Sequence, residues 1–257
     1  MHTGAAMPTK VGHAVSADLP YPVVRLDGVL DEATSRRVRS VLLTGLAEQP
    51  EALIIDVTEL RPANQAAVAV LRDVARLAAD WPSARLVLCA PPAAEPVWRS
   101  TGLPVWPSAR AASGALGAPA TGHRLTLTLQ PVVGAARRSR ELVTEACGRW
   151  DLPQLAGPAC IVATELVSNV VAHAQTGMTV RLALRDGDLT VAVQDASTVA
   201  PSFTGRVAPT AYGGRGLLLI DSVARRWGSL GLDHGKVVWA VLHPADEAMD
   251  WDVRDSA

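Results

Sequence analysis

From Tyr21 onward the chain alternates short β-branched runs with stretches of helical spacing. VVRL (Val23 to Leu26), ALIIDV (Ala52 to Val57) and RLVLCA (Arg85 to Ala90) read as strands. Between them, Asp31 to about Glu48 and about Asn64 to Ala79 carry apolar residues at helical intervals. ALIIDV is almost continuously apolar, which predicts a central strand covered on both faces. A helical stretch from about Ala93 to Ser100, a strand near Pro104 to Trp106 and a helix from Ser108 to about Leu116 close a unit over residues 21–116. Residues 1–20 follow neither period and are expected to form a flexible leader.

The stretch Ala112 to Gly122 is rich in Ala, Gly and Pro, and its latter part, residues 117–122, reads as a linker. A second unit is expected over residues 123–244, with a loose acidic tail at 245–257. It opens with HRLTLTLQ (His123 to Gln130), whose alternation puts Leu125, Leu127 and Leu129 on one face. Helices follow at Gly134 to Trp150 and about Gly157 to His173. Two strands come next, TVRLALR and LTVAVQD, joined by an Asp186-Gly187 turn. A glycine-rich loop then leads into a helix expected over GRGLLLIDSVARRWG, and Val237 to Leu242 reads as the last strand. Alternating elements in the first unit, and helices on a largely antiparallel sheet in the second, predict an α/β protein of two domains.

Composition narrows the function classes. At 257 residues and roughly 150 per domain, one large or two small domains fit. A hydrophobic share of 49% against 19% charged residues excludes a polyelectrolyte or a coiled-coil rod. Lys and Arg number 24 against 25 Asp and Glu, so no global field draws the chain to nucleic acid or an anionic bilayer. Cys89, Cys147 and Cys160 are an odd number without ligand-like spacing, which supports neither a disulfide framework nor a zinc knuckle. The N-terminal stretch lacks a signal-peptide core, and no run approaches about 18 uninterrupted apolar residues. A cytoplasmic protein with no direct contact to nucleic acid or membrane is the expectation.

Three segments can carry chemistry. In ELVSNVVAHA, Glu165, Asn169 and His173 recur at intervals of four and share a helix face, while Ile161, Val162, Leu166 and Val170 can face a sheet. An Asn oxygen can join Mg²⁺ coordination beside phosphate oxygens, and a Glu one turn earlier can orient or deprotonate an attacking hydroxyl. A solvated helix face accounts for the same stripe. In TAYGGRGLLLI, Gly213, Gly214 and Gly216 allow close backbone approach ahead of a helix start, with Arg215 as a charge contact. Neither the dinucleotide fingerprint nor the P-loop pattern is present, and a plain loop explains the glycines equally well. In VAVQDAS, Asp195 closes a strand, where its carboxylate can accept from an adenine amino group or cap the next turn.

In order and spacing, these segments over about residues 123–244 resemble the histidine-kinase-like ATPase domain, the GHKL or Bergerat α/β sandwich of gyrase, two-component kinases and MutL. Within that group they look most like the serine kinases that act as anti-sigma factors in actinobacteria and bacilli. The resemblance makes Glu165 the catalytic base and Asn169 the Mg²⁺ ligand, with His173 nearby. It makes Asp195 the adenine-binding aspartate, and it places Gly213, Gly214, Arg215 and Gly216 in the lid over the phosphates. ATP and Mg²⁺ are the implied cofactors. After Asp195 the family pattern Asp-x-Gly-x-Gly is broken, because Ser197 and Val199 stand where the glycines belong.

The segments GVLDEATSRRVRSVL, IIDVTELRPANQAAVAVL and RLVLCAPP, over about residues 21–116, resemble the STAS domain of anti-sigma-factor antagonists. There the strand is followed by Asp-Ser-Ser-Gly, whose second Ser accepts phosphate; here Asn64-Gln65-Ala66-Ala67 occupies those positions, and Ala66 has no hydroxyl. Thr58 is the nearest other hydroxyl.

The fusion implies an ATP-binding partner-switching regulator, an anti-sigma factor and serine-protein kinase acting on a separate STAS antagonist. The alternative is a non-catalytic switch in which the degenerate STAS domain docks on the ATPase-like domain. A sigma factor and a second copy of the chain are further partners the resemblance allows. Arg137, Arg138 and Arg140 are placed to meet an acidic partner, and a solvated charge run explains them equally well.

Overall fold

The structure, a computed structural model, describes residues 10–82, 84–120, 123–199 and 215–245. Two compact units divide between Pro119 and Ala120.

The first unit is built on a five-stranded sheet in the order β1-β2-β3-β4-β5. Its strands are β1 (Val11–Ser16), β2 (Val23–Leu30), β3 (Ala52–Pro62), β4 (Arg85–Cys89) and β5 (Val105–Trp106). β1 runs antiparallel to β2, and the remaining pairs are parallel. Parallel neighbours need crossovers, which α1 (Glu32–Ala47), α2 (Ala69–Asp80) and the short α3 (Glu95–Arg99) supply, and α4 (Ala109–Leu116) ends the unit. α1 starts where it does because Asp31 and Thr34 form a reciprocal capping box. β3 is buried through six successive residues, Ala52 to Val57, as its apolar run predicts, and continues to Pro62.

The leader expected over residues 1–20 contains β1. Only Val11 of that strand is buried, so no apolar alternation marks it. The strand is specified by main-chain pairing to β2 from Val11↔Gly28 to Ser16↔Val23, which side-chain periodicity does not report.

The second unit is a fully antiparallel sheet in the order β6-β7-β8-β10-β9. Its strands are β6 (Arg124–Leu129), β7 (Met178–Arg185), β8 (Asp188–Asp195), β9 (Arg226–Leu232) and β10 (Gly235–Leu242). The helices are α5 (Ala135–Arg149), α6 (Ala156–Asn169) and α7 (Arg215–Val223). Val180, Leu182, Val191, Val193 and Val238 of the sheet share one core with Val143, Val162, Leu166 and Ile220 of the helices. The run Pro153–Ala174 is long and apolar enough to cross a membrane by length and composition. Here Ala159, Val162, Ala163, Leu166, Val167 and Val170 of that run belong to the core.

Two expectations need correction. The helix expected through Gly228 ends at Val223, and the residues from Arg226 form β9 instead. A hairpin partner captures them: β9 pairs with β10 from Arg226↔Val241 to Leu232↔Gly235. Ile161, expected to face the sheet, is 40% exposed, because it lies outside the arc defined by its buried neighbours Val162, Leu166 and Val170.

Candidate functional site

α6 presents Glu165 and Asn169 one turn apart, both half-buried, at the border of the face by which Val162, Leu166 and Val170 hold the segment in the core. α7 packs on α6, and its second residue, Gly216, lies against the Glu165 carboxylate. A Cβ at position 216 would overlap Glu165 Oε2, so the absence of a side chain is what allows this approach. The result is a carboxylate at a helix start, where unpaired N–H groups and the helix dipole favour negative charge. Gly213 and Gly214 lie outside the described residues, and Arg215 opens α7.

α6 does not continue regularly to His173. Residues Val170–Ala174 form a π-turn, closed by the Gln175 N–H donating to Val170 O at 2.7 Å, and Gln175 ends it in the left-handed region at φ 53. An i→i+5 turn advances fewer degrees per residue than the α-helix, so the stripe through Glu165 and Asn169 does not extend in register to His173, which is exposed. The next hydroxyl, Thr176 Oγ1, accepts from the Ala196 N–H at 3.1 Å, which ties the segment after α6 to the end of β8.

Asp195 occupies that end. It is 4% exposed, faces Met178 of β7 and Lys236 of β10, and its Oδ1 accepts from the Ser197 N–H at 2.7 Å. Lys236 Nζ donates to the same Oδ1 at 3.0 Å and to Ser197 O at 3.2 Å. Ser197 Oγ accepts in turn from the Val199 N–H at 3.3 Å. The segment after Asp195 is therefore a folded turn with its own hydrogen bonds. Lys236 precedes the strand expected from Val237, and its meeting with Asp195 follows from the β8–β10 register, which no local signal reveals.

Of the basic residues at the start of α5, Arg137 pairs with Glu141 at 2.9 Å and Arg140 Nη1 donates to Thr164 Oγ1 at 3.3 Å, beside Glu165; Arg138 is exposed. The cysteines offer no chemistry of their own at the two buried positions. Burial, and then the Asp56 carboxylate, push the Cys89 thiol up to about 12, while burial followed by Cys160 pushes Cys147 up to about 11.

Among the described residues, no cluster of three or more His, Cys, Asp or Glu could cage a metal ion. Asn169 offers a single neutral oxygen, which suits Mg²⁺ held mainly by water and substrate phosphates and not a dedicated protein cage.

Residues 130–242 match the family described as the Histidine kinase-like ATPase domain, so the matched segment spans β7 to β10 and all three helices of the second unit. The match lies wholly within the second unit. Among solved structures, the chain is similar to an anti-sigma factor antagonist from Mycobacterium paratuberculosis, at 20% identity and a TM-score of 0.37, over 43% of this chain and 97% of that one. It is also similar to the anti-sigma factor antagonist SpoIIAA in its unphosphorylated form, at 17% identity and a TM-score of 0.33, over 42% of this chain and 100% of that one. No protein of curated function matches the chain.

Proposed function

We propose that this chain is a cytoplasmic ATP-binding partner-switching regulator whose second unit phosphorylates a serine on a separate STAS-type antagonist and, in its other state, holds a sigma factor. The observation that carries the reading is the Glu165 carboxylate set against Gly216 at the start of α7, with Asn169 one turn further along α6. In the proposed step Glu165 accepts the proton of the target serine hydroxyl, the serine oxygen bonds to the γ-phosphorus, and the bond to the bridging oxygen breaks to release ADP. Asp195 accepts from the adenine amino group, and the N–H groups at the start of α7 meet the phosphates. When bound, Mg²⁺ supplies charge neutralisation on the phosphates, with the Asn169 carbonyl oxygen as its protein ligand.

The test is calorimetric titration of ATP, with and without Mg²⁺, followed by labelled phosphoryl transfer to STAS antagonists. Wild type is expected to bind ATP in an Mg²⁺-dependent manner that Asn169→Ala loses. Glu165→Ala is expected to lower transfer by about 10²–10⁴-fold. Transfer that is null for wild type and Glu165→Ala alike removes the kinase part.

A second reading, a switch without catalysis in which the chain's own first unit is the docked partner, has a specific observation in its favour. Ala66 is exposed beside Asn64, whose side chain caps the turn at Gln65–Val68, so the place of the antagonists' phosphate acceptor is presented but carries no hydroxyl.

A further inference from the structure

Lys236 has no part in the reading above, yet it is a deeply placed cation held against the residue assigned to adenine. Its side chain is 11% exposed and that of Asp195 is 2% exposed, in an ion pair of 3.0 Å across adjacent strands. The two bonds recorded on the carboxylate, from Lys236 Nζ and from the Ser197 N–H, both fall on Oδ1. Among the described residues none falls on Oδ2. The same ammonium group also donates to Ser197 O, so it grips both the carboxylate and the turn that follows it.

Resting on the ATP-binding reading, we propose that Lys236 is the specificity-determining positioning residue of the nucleotide site. The carboxylate divides its work: Oδ1 belongs to the protein, held by Lys236 and Ser197, and Oδ2 is left as the acceptor for the exocyclic amine of adenine. Carboxylate oxygens are hydrogen-bond acceptors. Oδ2 then favours a base with an amino group at that edge over one with a carbonyl oxygen there, whose lone pairs would face its own. Lys236 also ties the Asp195–Ser197 backbone to the neighbouring strand.

The test compares ATP with inosine triphosphate, which carries a carbonyl oxygen in place of the 6-amino group and a proton on the neighbouring N1. Both are titrated into the full chain as wild type, Lys236→Met and Lys236→Arg. Wild type is expected to prefer ATP by roughly tenfold or more. In Lys236→Met the preference is expected to fall by about tenfold, chiefly through lost ATP affinity, and Lys236→Arg, which keeps the cation, is expected to regain part of it. A lysine that merely supports the fold would weaken both nucleotides together and leave the ratio at the wild-type value, and that result overturns the inference. If Lys236→Met melts below the assay temperature, the ammonium resonance of Lys236 in wild type carries the test. It is expected to stay protected from solvent when ATP binds, and its loss into fast exchange on ATP binding overturns the inference. Failure of the underlying reading looks different: wild type that binds neither nucleotide removes the ATP site itself and Lys236's role with it.

Discussion

Two glycines border the site and differ in what a side chain would strike. At Gly216 the obstruction is Glu165 Oε2, the far end of a flexible side chain. At Gly235 it is the carbonyl oxygen of Asp195, part of the backbone, and φ there is +131. A flexible end can yield by rotating, whereas a backbone atom moves only with its strand. Gly216→Ala is therefore expected to melt close to wild type while displacing the Glu165 carboxylate, with loss of phosphoryl transfer. Gly235→Ala is expected to cost about 1–3 kcal/mol of stability, since it adds overpacking to an unfavourable backbone angle. Urea melts alongside the transfer assay check both, and equal destabilisation of the two variants would contradict this account of Gly216.

At the scale of elements, legibility followed whether a segment is specified by burial or by pairing. β3 and α6 are defined by apolar runs and stripes, and the sequence displays them. Glu165 and Asn169 could be found because helical period alone puts them on one side of α6. β1 and β9 are edge strands held by a single neighbour each, and their residues carry little alternation to read. The π-turn at Val170–Ala174 was likewise hidden, since it changes the hydrogen-bond span without changing the residue types. Lys236 was missed for a related reason: its partner lies 41 residues away and is set by strand register. The β1 assignment has a direct consequence. A chain beginning at residue 21 would leave the outer edge of β2 unpaired from Val23 to Gly28, exposing its hydrogen-bonding groups. Such a truncation is expected to lower the melting midpoint by several degrees and to promote self-association in light scattering, whereas a true flexible leader could be removed without either effect.

For the whole molecule, the question is whether the first unit is ever the target of the second. The two units have separate cores, one built around Tyr21, Val23, Ile54 and Cys89 and the other around α5, α6 and the antiparallel sheet, so they can be considered as two partners joined by one chain. Joining raises the effective concentration of one partner at the other to the order of millimolar for short flexible linkers, enough to make even weak docking populated if the linker allows it. Ala66 permits this to be read chemically: it is exposed, at a helical turn capped by Asn64, and Ala66→Ser adds only an oxygen there. In the full chain, Ala66→Ser is expected to incorporate labelled phosphate from ATP at the introduced hydroxyl, and wild type to incorporate none at that segment. If the first unit reaches the site of its own chain, the initial rate per molecule is independent of protein concentration; transfer between chains makes it rise with concentration. Adding Glu165→Ala to Ala66→Ser must lower the labelling rate by the same factor of about 10²–10⁴, which ties it to the second unit and not to a contaminating kinase. An unlabelled Ala66→Ser, together with normal transfer to a separate antagonist, would mean that the first unit does not present this turn to the kinase site. The absence of a hydroxyl at position 66 would then not be what keeps the first unit from being phosphorylated.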